Sequence, residues 1–375
     1  MNTHINHHLA LRRGARTLLA CTALALAAGC AATGPATRQP APAAAAAAAP
    51  AWSVTAQAVD LPAGVYQGAY SARSQRLYVA SATGRPPVKE SRLLAIDPAG
   101  PRVVGSIVPA PQASRTDGQV QAVYGLTVDD ARSQIWTTNT RSGSVAVYRQ
   151  SDLSLVKQFP DDVTPHARDV LVDAGHDRAY VSSPASNVIH VFDSATLQPL
   201  PGITLTGAGE APKPMSLALD AGHQRLYAVS LNTAEVFVID TATGRQIARH
   251  TVPGAQGASG IAVDVQAQRI YVTAQKSGNL TVLDARDGRV LQQLPTGAGA
   301  LNVAFDPVHR LAYVANRGAG TVTVVDERGA IQAQVDTGSA PNHIALDPQG
   351  NAWVLVKKSK NDPRGDRLVR IEARR

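Results

Sequence analysis

QRIYVTAQKSGNLTVLDARDGRVLQQLPTG, residues 268 to 297, holds three short runs of alternating apolar residues separated by two turns. Arg269-Ile-Tyr-Val-Thr-Ala reads as a strand, Gln275-Lys-Ser-Gly-Asn as a turn and Leu280-Thr-Val-Leu-Asp as a second strand. Arg286-Asp-Gly turns the chain again, and Val290-Leu-Gln-Gln-Leu is a third strand. A meander this short cannot bury both of its faces alone, so it calls for neighbours of its own kind.

Those neighbours are in the chain. The aromatic of the YV-type strand recurs as Tyr78, Trp136, Tyr180, Tyr227, Tyr271, Tyr313 and Trp353, at spacings of 58, 44, 47, 44, 42 and 40 residues. Ahead of these strands stand GLTVD ending at Asp129, DVLVD at Asp173, SLALD at Asp220, GIAVD at Asp264, NVAFD at Asp306 and HIALD at Asp347. Each unit is then four short strands, a to d. Seven such units predict an all-β, seven-bladed β-propeller over residues 52–375. After the last c strand, Arg367-Leu-Val-Arg-Ile-Glu, no fourth strand follows, while Trp52-Ser-Val-Thr-Ala-Gln-Ala-Val-Asp-Leu looks like the d strand Ile331-Gln-Ala-Gln-Val-Asp-Thr. The ring is expected to close by this N-terminal outer strand completing the last blade.

YVAS at Tyr78, YVSS at Tyr180, YVTA at Tyr271, YVAN at Tyr313 and the degenerate WTTN at Trp136 resemble the YVTN repeats of YncE-like seven-bladed propellers. The resemblance spans residues 52–375 and implies a periplasmic or surface propeller that binds something.

The N-terminus carries Arg12, Arg13 and Arg16, an apolar run from Thr17 to Ala28, and Gly29-Cys30. This is the pattern of a secretory signal, too short to span a membrane comfortably. Leu26-Ala-Ala-Gly-Cys30 resembles a bacterial lipobox, so residues 1–29 read as a lipoprotein-type signal peptide, Cys30 as the lipidated residue, and the protein as a periplasmic, outer-membrane lipoprotein. Cleavage between Ala31 and Ala36 without lipidation is the alternative. Residues 30–51, rich in Ala and Pro, read as a tether. Both cysteines, Cys21 and Cys30, precede the repeats, which therefore offer neither a disulfide nor thiolate chemistry. Removing the three arginines of the signal lowers the net charge from +8 to +5, so the placement of basic residues matters more than their number.

Some residues that look functional recur once per blade and are better explained by the scaffold. Asp173 with Arg178, Asp220 with Arg225 and Asp264 with Arg269 suit turn capping and pairing across the a–b hairpin. Seven of the sixteen aromatics occupy the strand-b position, where they should pack between sheets, leaving few to stack on bases.

Function should lie where blades differ, on the face where the d–a and b–c connections meet around the channel. At the start of strand a this gives Tyr66, Gln67, Tyr124, Arg168, Asp169, Ser216, Asn302, Asn342 and His343, with Lys213 and His166 just upstream, as candidate ligand-binding residues. The b–c turns add Arg85, Lys89, Arg92, Arg141, Lys276, Arg317, Lys357, Lys358, Lys360 and Arg364, with Arg367 beyond them, as an arc of cations. Such an arc suits single-stranded nucleic acid or another polyanion, with Tyr66 and Tyr124 as the candidates for stacking on bases. A solvated, lysine-rich loop is the bland alternative for KKSKNDPRGDR, and an envelope protein partner is a further one.

An enzyme reading, a metal-dependent lactonase or hydrolase, would draw on Asp169, Asn302, Asn342 and His343 at the channel mouth. No HExxH, P-loop, GxSxG or Cys cluster accompanies them, and a general base needs a partner that the sequence does not display. The expectation is a monomeric, non-catalytic binding scaffold without a cofactor.

Overall fold

A computed structural model describes residues 52–359 and 362–375. The signal peptide, the tether with Cys30, and Lys360 lie outside the described residues. Seven antiparallel four-stranded sheets make a seven-bladed β-propeller. In blade 5 the strands are Ala258–Asp264, Arg269–Ala274, Asn279–Asp284 and Val290–Pro295, the last three within a residue of the boundaries read from the alternation of apolar residues and the first beginning two residues earlier. Blade 7 is completed by Ser53–Asp60, paired antiparallel with Arg367–Arg374 from Ser53 opposite Arg374 to Asp60 opposite Arg367. The ring closes as expected.

The repeat signature has a packing reason. Successive residues of a strand face opposite sides of the sheet, and in a ring of blades both sides are covered. Tyr271 packs into the cluster between blades 5 and 6, beside Val303 and Val314, while Val272 packs between blades 4 and 5, beside Val229 and Val236. The same division holds for Tyr313 and Val314, Trp353 and Val354, and Tyr180 and Val181. Each interface between neighbouring blades thus has its own apolar cluster, and the seven strand-b aromatics are all buried.

The per-blade Asp and Arg are structural, though they are not partners of each other across the a–b hairpin. Asp173 accepts from the Gly175 amide and faces His176 Nδ1 at 2.8 Å; Asp220 likewise faces His223 at 2.8 Å. With those carboxylates engaged in their own turns, Arg178 and Arg225 reach the other way, to Asp193 at 3.5 Å and Asp240 at 2.8 Å at the end of strand c. On the same face Arg310 of blade 6 holds both oxygens of Asp264 in blade 5, and Arg132 of blade 2 holds Asp177 of blade 3.

Candidate functional site

The inner strands begin at the opposite face, and their pairing there is irregular. In blades 2, 5, 6 and 7 the a–b register skips one residue, at Tyr124, Ser259, Leu301 and Asn342; in blades 1 and 4 it skips Tyr66-Gln67 and Met215-Ser216. A bulge of this kind re-aims the side chain of the skipped residue. Two rings of side chains result, one at the mouth and one a residue deeper in the channel.

The deeper ring is a set of clamps between blades. Gln67 Oε1 accepts from the Leu126 amide of the next blade at 3.2 Å, Asp169 Oδ2 from Leu217 at 3.0 Å, and Asn302 Oδ1 from Ile344 at 3.0 Å. His343 Nδ1 accepts from Gly68 at 3.4 Å, which carries the ring from blade 7 back to blade 1. Asp169, Ser216, Asn302 and His343 line one cavity of about 330 Å³ with Gly68 and Leu126; Gln67 does not line it. At Gly260, where blade 5 has no such side chain, a Cβ would sit 2.8 Å from Asn302 Cα and from the Leu301 carbonyl oxygen, so the neighbouring strand fills that space.

Burial sets the charge states along the channel. It pushes the His343 imidazole down to about 3, with Arg168 acting in the same direction, so this histidine is neutral at ordinary pH. Because Nδ1 accepts a hydrogen bond, the proton belongs on Nε2. Burial also raises the Asp169 carboxyl, against the opposing pull of Arg168 and the backbone amides. Among the described residues no group of three or more His, Cys, Asp or Glu side chains is arranged to hold a metal ion.

The mouth ring differs in kind. Tyr66, Tyr124, Arg168, Leu301 and Asn342 line a cavity of about 230 Å³ together with Arg141, Arg317, Thr140 and His166. Arg317 donates to Asn342 Oδ1 at 2.8 Å, and Asn342 Nδ2 donates to the Tyr66 carbonyl at 2.7 Å. Arg141 Nε donates to the Tyr124 hydroxyl at 3.3 Å. Arg168 has no side-chain hydrogen-bond or ion-pair partner among the described residues, and burial pulls its guanidinium below the usual arginine range; a guanidinium nonetheless stays charged. Burial, then Arg141 and Arg168, lower the His166 imidazole as well.

Lys357 brings a fourth cation. Its Nζ stands 3.4 Å from the centroid of the Tyr66 ring, and burial pulls it down to about 8. Asp366, the nearby acid, directs one oxygen to the amides of Gly64 and Val65 at 2.6 and 2.9 Å and the other to the Lys358 amide at 2.8 Å. None of Arg141, Arg168, Arg317 and Lys357 makes an ion pair with a described carboxylate.

The rest of the basic arc does not join them. Arg364 is paired with Asp362 at 3.0 Å and donates to the Gly338 carbonyl at 2.9 Å; Arg367 is buried against the same Asp362 at 3.1 Å. Asp362 was near enough in sequence to suggest this, but which cations it would take depends on the loop's path. Arg85, Lys89, Arg92, Lys213, Lys276 and Lys358 are exposed side chains outside the mouth cavity. Tyr66 and Tyr124 are unsuited to stacking on bases as they stand: their ring centroids are 4.2 Å apart, Lys357 covers Tyr66, and Arg141 lies 5.9 Å from the Tyr124 centroid. Thr140 and Leu301 complete the wall; Leu301 was visible in the repeat alignment only as an apolar exception among polar residues.

No family profile matches the chain, and no curated protein matches it. Among solved structures it is similar to hydrazine synthase of Kuenenia stuttgartiensis, with a TM-score of 0.66 and 17% identity over 84% of this chain and 97% of that one. It is also similar to streptogramin B lyase, with a TM-score of 0.67 and 12% identity over 86% of this chain and 98% of that one. At these identities the likeness is one of fold.

Proposed function

We propose that this chain is an exported, lipid-anchored, YncE-like propeller that serves as a non-catalytic binding scaffold in the periplasm, tethered to the outer membrane, with its basic face turned to an anionic ligand. The observation that carries this reading is the set of four cations at the mouth, Arg141, Arg168, Arg317 and Lys357, with no described carboxylate paired to any of them. Elsewhere Arg132, Arg310 and Arg367 are paired with acids. Cations gathered without counter-ions, two of them partly buried as Arg168 and Lys357 are, favour a ligand that supplies the opposite charge. Exposed Arg85, Lys89, Arg92, Lys276 and Lys358 on the same face extend the positive field that would draw a polyanion towards it.

The test is salt-dependent binding of a fluorescent single-stranded oligonucleotide and of heparin to the mature protein. Affinity is expected to fall at least ~10-fold between low and moderate salt, because bound cations release counter-ions from the polymer. Replacing Arg85, Lys89 and Arg92 with Ser should reduce the slope and leave thermal stability unchanged. Absence of binding at low salt, or binding indifferent to salt, overturns the polyanion reading.

A further inference from the structure

We propose that the mouth of the ring is a specific site for one compact organic dianion, a phosphomonoester or a small dicarboxylate, held by Arg141, Arg168 and Arg317. This rests on the reading of the basic face as an anion-binding surface and narrows it from a polymer to a small molecule.

Size is the first reason. The cavity measures about 230 Å³. It is smaller than the ~300–1,000 Å³ typical of pockets for drug-sized ligands. A phosphate or two carboxylates on a short carbon frame fit this space; a stacked run of nucleotides does not.

Donor chemistry is the second. Each guanidinium carries five N–H donors in a planar fork. Arg141 gives one to Tyr124, Arg317 gives one to Asn342, and Arg168 gives none to any described residue. Those two bonds also fix the forks in place: Asn342 is tied to the Tyr66 backbone, and Tyr124 is buried. Arginines held this way bind carboxylate or phosphate in bidentate fashion with little ordering left to do. The deeper Asp169 acts on Arg168 through its charge alone, since its two oxygens are hydrogen-bonded by Gln67 and by the Val170 and Leu217 amides.

The walls are the third. Charge at the mouth amounts to three guanidinium groups with Lys357 beside them, which favours two negative charges over one. Leu301 gives one apolar surface for a short carbon frame, and the tyrosine rings are already covered by each other and by cations. Nothing in this arrangement offers a base an open ring face.

The experiment is isothermal titration calorimetry on the mature protein with inorganic phosphate, glycerol 3-phosphate and succinate as probes, run beside the same single-stranded oligonucleotide. At least one of the three is expected to bind once per chain, and Arg168→Ala and Arg317→Gln should each weaken it at least ~10-fold with the melting temperature retained, whereas Lys276→Ala should leave it unchanged. Preference for glycerol 3-phosphate or for succinate tells the phosphoryl from the dicarboxylate ligand. The proposal falls if none of the three binds, or if binding is the same in both arginine variants. Oligonucleotide binding that depends on Arg85, Lys89 and Arg92 but not on Arg168 would sink the compact site and leave the polyanion reading standing; dianion binding without any polyanion binding would do the reverse.

Discussion

The two faces of this propeller treat charge in opposite ways. On the face of the a–b turns, carboxylates have side-chain partners: Asp173 is hydrogen-bonded to His176, Asp220 to His223 and Asp306 to His309, and Asp264 pairs across the blade boundary with Arg310. At the mouth, Arg141, Arg168, Arg317 and Lys357 are gathered with no described acid paired to them, while the nearby acids Asp169 and Asp366 are turned to backbone amides. A matched set stabilises a scaffold; an unmatched set around one concavity, with Arg141 and Arg317 exposed and Arg168 and Lys357 partly buried, leaves its charge available to a ligand. The difference separates residues that the ring needs from residues that it merely carries.

Closure of the ring is where that comparison can be broken most severely. Both faces presuppose that blade 7 keeps its outer strand, which pairs along its whole length with Arg367–Arg374 and adds Trp52 and Val54 to the cluster between blades 6 and 7. At ~0.5–1.5 kcal/mol net per hydrogen bond, losing such a ladder costs several kcal/mol. Deleting residues 52–60 should therefore lower the denaturation midpoint of the whole domain and blunt its cooperativity, read by circular dichroism; an unchanged midpoint would mean that the strand is an ornament.

A smaller and sharper contrast comes from one substitution on each face. Asp264 is 1% exposed and holds Arg310. Asp264→Ala should cost about 1–3 kcal/mol, because it removes the acceptor of the Ala267 amide and the bidentate partner of Arg310, which keeps only Glu327 at 3.4 Å. Arg168→Ala removes a cation with no partner, so chemical denaturation should show a change within ~0.5 kcal/mol, or a gain. Equal losses in the two variants would erase the distinction between the faces.

The mildest test is titration. Lys357 faces Tyr66; burial, and to a lesser degree Arg317, lowers it to about 8, with Asp366 and Tyr124 pulling the other way. Its charge is present below that pH and fades above it, so dianion affinity measured by calorimetry should decline as the pH rises through about 8. In the ligand-free protein the sign for stability is opposite. The unfolded lysine keeps its proton up to its ordinary, higher pKa, so this residue's contribution to stability rises as the pH climbs from about 8 towards that value. A Lys357→Met variant should flatten both trends; if it retains them, another group is titrating.

Much of the scaffold was legible in the chain because each blade repeats the same physical problem. Tyr271-Val272 and its counterparts have to face two neighbouring blades at once, and a period of two does that in any register-true strand. The displaced strand at Ser53–Asp60 was readable for the same reason, since a missing fourth strand leaves an unpaired edge that something must cover. Asp173 caps its own turn and Arg178 pairs across a hairpin, but that the acid it takes is Asp193 follows from Asp173 having its bonds filled, which sequence distance does not say.

Residue identity at the mouth was also in the sequence, but not its sorting. Tyr66 and Gln67, Arg168 and Asp169, or Asn342 and His343 are adjacent in the chain, yet one of each pair opens to the mouth and the other clamps the next blade. The number of blades, the order of strands, the closing edge and the set of cations available all follow from local periodicity and counting along the chain. Which cations meet and which are neutralised is settled by the fold in three dimensions. Bulges re-aim side chains by a whole residue, and an ion pair such as Arg364 with Asp362 depends on the path of a loop in space, which no spacing along the chain encodes.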